Sequence, residues 1–250
     1  MASRTGTGRH WWEGPGFERF LADLLASEMA RLRRGSPLRH HMWTDSLQWG
    51  PDGLDLDSLE RLRLTMAVGQ ALALPGKAFS ALSREVSSFG GMVRAARAAM
   101  VEPPPHVAFL TSGSTGEPKR ISHGWASLDQ EVTALAGVLG MPRRIVSCVP
   151  SHHIYGFLFT VLLPHRLGIE VVDARGSLPL QLAASCRDSD LIIAVPPIWQ
   201  NAAHIAEWPQ GITALSSGSA CQSGIARQLR GNGLSRLIEI YGSTETGGIG

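Results

Sequence analysis

The residues best equipped for chemistry lie in one stretch, Leu110-Thr111-Ser112-Gly113-Ser114-Thr115-Gly116-Glu117-Pro118-Lys119. Glycine lets a backbone turn tightly and approach a ligand closely. Serine and threonine add hydroxyl donors beside the main-chain N–H groups, and lysine supplies a positive point charge. Together they make a loop able to cradle a polyphosphate. The chain has only two lysines, Lys77 and Lys119, among 23 basic residues, so a lysine in this loop is informative. The same composition also suits a plain Gly/Ser turn, and the stretch alone leaves both readings open.

The Walker A pattern, G-x-x-x-x-G-K-[ST], does not fit. Gly113 and Gly116 are too close together, Lys119 follows Pro118, and Arg120 stands where a hydroxyl is needed. TSGSTGEPK instead resembles the phosphate loop of the adenylate-forming superfamily: acyl-CoA synthetases, nonribosomal peptide adenylation domains and luciferases. Further motifs resemble the same family. They are Pro150-Ser151-His152-His153-Ile154-Tyr155-Gly156, Val195-Pro196-Pro197-Ile198, Leu215-Ser216-Ser217-Gly218-Ser219-Ala220 and Ile240-Tyr241-Gly242-Ser243-Thr244-Glu245.

The resemblance implies a role for each motif. Thr111, Ser112, Gly113, Ser114, Thr115, Gly116 and Lys119 would hold the β- and γ-phosphates of ATP. His153 would stand between the carboxylate substrate and the nucleotide. Gly218, Ser219 and Ala220 would let the backbone pass close to the acyl group and adenine. Tyr241 would stack on adenine beside Gly242, Thr244 would bond the α-phosphate, and Glu245 would bind Mg²⁺. Trp199, His153 and Ser217 would bias the pocket towards an aryl or medium-chain acid. For the histidine, a purely structural imidazole is the competing reading. A Ser-His hydrolase is disfavoured, since no G-x-S-x-G elbow occurs.

Composition sets the bounds. The chain has 250 residues, 44% hydrophobic and 18% charged, with net charge +2, which suits a globular protein with a sizeable core. No basic stripe marks a nucleic-acid partner. Cys148, Cys186 and Cys221 are sparse and odd in number, which fits a reducing compartment. No run reaches transmembrane length, so a cytoplasmic enzyme is expected.

The elements that must position these motifs follow from periodicity. Apolar residues at helical spacing predict a helix over 17–34. A second begins near Asp57, and others lie near 78–88 and 90–100. The prolines at 103–105 favour an extended linker. They mark the expected boundary between a helical segment, 1–102, and a partial adenylation domain, 103–250. Beyond it, strands are predicted at 106–111, 145–149, 168–173, 190–195, 212–216 and 236–241. Helices are predicted near 124–139, 155–166, 177–187, 197–207 and 221–230. This alternation predicts an α/β layered sheet-and-helix core.

Asp57-Ser58-Leu59 has three readings. Asp57 and Glu60 suit a helix-start capping box. D-S-L also resembles the attachment site of acyl carrier domains, with Ser58 bearing phosphopantetheine, although Leu56 replaces the usual glycine. The helix could equally be the amphipathic one that adenylate-forming enzymes carry near their N-terminus.

The family chemistry implied is activation of a carboxylic acid as an acyl-adenylate, then transfer to a thiol of CoA or of an acyl carrier protein. The sequence given stops at Gly250, before the family's ribose-binding aspartate and late lysine. The expectation is therefore weak or absent turnover by these 250 residues alone. The alternatives are a carrier or scaffold protein acting through Ser58, and a nucleotide-binding protein without ligase activity.

Overall fold

The computed structural model describes residues 10–38, 42–100, 102–111, 119–204 and 207–248. Two compact units divide within one helix, at Leu128 and Asp129. The prolines at 103–105 and the strand that follows them lie inside the first unit.

The first unit is mainly helical. Its helices are α1 (Pro15–Arg33), α2 (Ser58–Ala71), α3 (Gly76–Glu85) and α4 (Phe89–Ala99). Pro15 opens α1, where a missing N–H costs nothing, and Arg34 closes it in the left-handed region at φ 51°. Phe17, Phe20, Leu21, Leu25, Leu64, Val68, Phe89 and Met92 are buried together with Trp49. Asp57 and Glu60 form the predicted capping box at the start of α2. Arg33 donates to both oxygens of Glu60, at 2.7 and 2.8 Å. That pairing, more than any other influence, holds the Glu60 carboxyl below its ordinary range.

After α4 the chain forms β1 (His106–Leu110) and β2 (Arg120–Gly124), paired antiparallel from His106↔Gly124 to Leu110↔Arg120. β1 is an apolar run and was expected. β2, Arg-Ile-Ser-His-Gly, was not: its side chains are exposed or half-buried, so no apolar signal marks it.

In the second unit, α5 (Trp125–Leu139, shared with the first) leads into strands alternating with helices. The strands are β3 (Ile145–Ser147), β4 (Val171–Asp173), β5 (Leu191–Ala194), β6 (Thr213–Ser216) and β7 (Arg236–Glu239). All five are parallel, in the order β4-β3-β5-β6-β7. The expected α/β layering is thus present, and its parallel strands are near-continuous apolar runs separated by helices. The intervening helices are α6 (Ile154–Phe157), which runs through a π turn (Leu158–Leu162) into α7 (Leu163–Leu167), then α8 (Pro179–Ser185), α9 (Pro196–Ala202) and α10 (Ser223–Gly231). After β7 a small hairpin, β8 (Gly242–Ser243) and β9 (Gly247–Gly248), completes the described chain.

A buried ion pair ties two strand starts at the sheet's amino edge. Arg144, just before β3, donates to Asp190, just before β5, through Nε at 3.0 Å and a terminal nitrogen at 2.9 Å. The same guanidinium reaches the carbonyl of Ser185, and Asp190 also accepts from the Arg187 amide. Both charged side chains are buried. No described helix is long and apolar enough to cross a membrane.

Candidate functional site

Parallel topology decides where the motifs emerge. Every connection after a strand of the second unit leaves from the same edge of the sheet, the carboxyl edge. The order reverses between β3 and β5, and an open α/β sheet binds ligands in the crevice outside its carboxyl ends at such a switch point. His152 and His153 lie in the loop after β3, and Val195-Pro196-Pro197 follows β5. Ser217–Ala220 follows β6, and Tyr241 follows β7. Four sequence-predicted motifs are thus carried to one edge.

Each loop there is tied down by a specific bond. His153 is the exposed residue immediately before α6, and its ring lies 4.1 Å from that of the less exposed His152. Gly156 is required: a Cβ there would come within 1.9 Å of the Pro150 carbonyl oxygen. Tyr155 is not a free aromatic wall. Its hydroxyl donates to the Ala194 carbonyl at 3.1 Å, joining α6 to the end of β5, and burial pushes its pKa well above the ordinary value.

The loops after β6 and β7 hold each other. Ser217 Oγ donates to the Ile240 carbonyl at 3.0 Å, and Glu239 accepts from the Cys221 amide at 2.6 Å. The Ile240 amide donates to the Ser216 carbonyl at 2.8 Å. Gly218 sits at φ +93°, a left-handed conformation that glycine adopts without strain, with open space where a Cβ would be. Ser219 and Ala220 beside it are exposed.

Tyr241 is 75% exposed and presents a flat ring at the edge. Gly242 opens the β8–β9 hairpin, where a Cβ would meet the Gly247 carbonyl oxygen at 2.2 Å. Thr244 and Glu245 occupy the turn of that hairpin, and Ser243 Oγ accepts from the Glu245 amide.

In the first unit, Thr111 and Lys119 are the described residues that flank the Ser/Gly stretch. The Thr111 amide donates to the Lys119 carbonyl at 2.8 Å, extending the β1–β2 ladder. Lys119 is exposed. Ser112, Gly113, Ser114, Thr115 and Gly116 lie outside the described residues. Ser58, exposed, is the first residue of α2.

Two expectations are corrected or extended. Trp199 is fully buried and donates to the Leu215 carbonyl at 3.2 Å, so it belongs to the core beneath the edge and does not line a pocket. Glu131 on α5, which no motif marks, accepts from the Gly248 amide at 2.8 Å, beside the turn carrying Thr244 and Glu245. Burial pushes the Cys148 thiol up to about 12 and the Cys186 thiol to about 11, away from the reactive thiolate form.

The groups fit the ligands that the motifs imply. Mg²⁺ takes one or two carboxylates and completes its shell with water and substrate phosphates. Glu245, exposed on its turn, is a carboxylate of that kind.

Comparison with known proteins agrees with this arrangement. The family model described as AMP-binding enzyme matches residues 55–250. The chain is 34% identical over 234 residues to the 4-coumarate–CoA ligase of Halorhodospira halophila, covering 93% of this chain and 59% of that protein. It is 33% identical over 245 residues to the 4-coumarate–CoA ligase of Rhodobacter capsulatus, covering 93% and 62%. The chain thus spans less than two thirds of the length of these curated relatives. Among solved structures, ATP-bound MatB from Rhodopseudomonas palustris superimposes with TM-score 0.52 at 17% identity, over 65% of this chain and 35% of that one. The o-succinylbenzoate CoA synthetase of Bacillus subtilis does so with TM-score 0.51 at 21% identity, over 67% and 35%. These two likenesses concern the fold.

Proposed function

Because the chain belongs to the AMP-binding enzyme family, we propose that it contributes the nucleotide-binding part of an acid–thiol ligase. The reaction has two halves. A carboxylate oxygen attacks the α-phosphorus of ATP, and pyrophosphate leaves with its bonding electron pair. A thiol then gives up its proton and attacks the acyl carbon, and AMP leaves with the electron pair of the acyl C–O bond. The relatives named 4-coumarate–CoA ligase support an aromatic acid of that type as substrate and CoA as acceptor.

The observation that carries this reading is the convergence of the His153, Ser217–Ala220 and Tyr241–Glu245 segments on one sheet edge. Tyr241 offers its face to adenine, worth about 1–3 kcal/mol for a base on an aromatic ring. Thr244 would bond the α-phosphate, and Glu245 would hold Mg²⁺. By the family resemblance, Thr111, Ser112, Gly113, Ser114, Thr115, Gly116 and Lys119 would take the leaving pyrophosphate. Mg²⁺, when bound, screens charge on the phosphates and polarises a phosphoryl oxygen. His153 stands beside the incoming carboxylate, and its neighbours Tyr155 and Gly156 fix the loop. Most of the rate gain in such a site comes from alignment and charge neutralisation. The free thiols fit the cytoplasmic location we propose.

The test is Mg²⁺-dependent ATP binding by the chain, followed by hydroxylamine trapping of acyl-adenylate with 4-coumarate. The reading expects saturable ATP binding and slow hydroxamate formation. Absence of ATP binding contradicts it.

Ser58 supports a second reading, an acyl-carrier-like front end over 1–102, because its hydroxyl is exposed at a helix start. The family match begins ahead of it, at residue 55, and so includes α2. Mass spectrometry after incubation with a phosphopantetheinyl transferase decides: an unmodified Ser58 removes the carrier reading.

A further inference from the structure

Glu131 lies in the second turn of α5, half-buried, with no motif around it. Its carboxylate accepts from the Gly248 amide at 2.8 Å. Two glycines make that approach possible. A Cβ on Gly247 would meet Glu131 Oε2 at 2.8 Å, and one on Gly248 would meet Oε1 at 2.9 Å. Gly247 also holds φ +71°, where a side chain is strained.

Gly247 and Gly248 are the returning strand of the β8–β9 hairpin, paired with Ser243 and Gly242. A carboxylate gripping the return strand therefore fixes the turn between them, which carries Thr244 and Glu245. The helix supplying the grip is itself anchored. Leu128 and Val132 are buried on either side, and Asp129 accepts from Arg166 on α7 at 3.1 Å. A two-residue-per-strand ladder is marginal by itself, so an outside acceptor on a rigid helix matters here.

We infer that Glu131 is a positioning residue for the Thr244–Glu245 turn, acting by its bond to the Gly248 amide and not by touching nucleotide. The inference rests on the nucleotide-binding reading of that turn. Its structural half stands independently.

The test uses the 250-residue chain and three forms: unsubstituted, Glu131→Ala and Glu131→Gln. Glutamine keeps an acceptor oxygen and alanine does not. Hydrogen exchange at Gly248 and across 242–246 is measured without nucleotide, and ATP affinity with and without Mg²⁺. A charge-assisted hydrogen bond predicts that Glu131→Ala speeds exchange of these amides about tenfold or more, with Glu131→Gln much nearer the unsubstituted chain. Glu131→Ala should also weaken Mg²⁺-dependent ATP binding by about tenfold, leave Mg²⁺-free binding and the melting temperature near their original values, and be rescued by glutamine. Unchanged exchange in Glu131→Ala overturns the inference, as does equal loss of Mg²⁺-free and Mg²⁺-dependent affinity. If the unsubstituted chain binds no ATP, the nucleotide-binding reading fails, and the exchange measurement alone decides whether Glu131 orders the hairpin.

Discussion

The two edges of the parallel sheet are built from the same five strands and made for opposite purposes. At the amino edge, Arg144 and Asp190 are buried and bonded to each other and to backbone. At the carboxyl edge, His153, Gly218, Tyr241 and Glu245 are exposed, while Gly156 and Ser217 beneath them are buried. The amino edge satisfies its polar groups internally, as low-dielectric surroundings demand. The carboxyl edge keeps its polar and aromatic groups facing outwards, on loops held by bonds such as Tyr155 to Ala194 and Ser217 to Ile240. Stability and ligand affinity should therefore separate by edge.

The strongest way to break this comparison is at the amino edge. Asp190→Ala leaves a buried guanidinium uncompensated and should cost about 3–5 kcal/mol of stability in urea unfolding. ATP affinity of the folded fraction should not change. Loss of affinity without loss of stability would place the amino edge in the site.

Gly156→Ala sharpens the comparison from the other side, because it strikes a support on the functional edge. Its new Cβ would sit 1.9 Å from the Pro150 carbonyl oxygen. A backbone shift is forced, with an expected cost of about 1–3 kcal/mol and displacement of the histidine loop. Native stability in the alanine variant would contradict that packing.

Tyr241→Ala should do the reverse. The ring is 75% exposed, so unfolding free energy should stay within about 0.5 kcal/mol. ATP affinity should fall about tenfold, measured by calorimetry.

The smallest expected effect is alkaline. Burial raises Cys148 to about 12, above the thiol's unfolded value of about 8.5. The unfolded chain then loses a proton that the folded chain keeps, so stability is unaffected by this group below about pH 8.5 and declines above it. Cys148→Ala should flatten the decline between about pH 9 and the folded value.

Much of this architecture was legible because the strands of a doubly wound sheet are apolar runs and the motifs sit at their ends. Ile145–Ser147 and Leu191–Ala194 announce themselves in that way. β2 does not, because its burial alternates between exposed and half-buried positions and hydrogen bonding to β1 alone defines it. Trp199 was misplaced since an aromatic beside a motif suits a pocket wall or a core equally. Its indole N–H on the Leu215 carbonyl shows the core. Glu131 was invisible: it binds a backbone amide 117 positions away, which leaves no spacing pattern.

The central claim is that adenine rests on the carboxyl edge beside Tyr241. Photolabelling with an azido-adenine analogue of ATP, followed by peptide mapping, tests it most directly. Label competed by ATP in the segments 217–221 and 239–245 is the expected result. Competed label confined to the amino-edge segments around Arg144 and Asp190 would contradict the account.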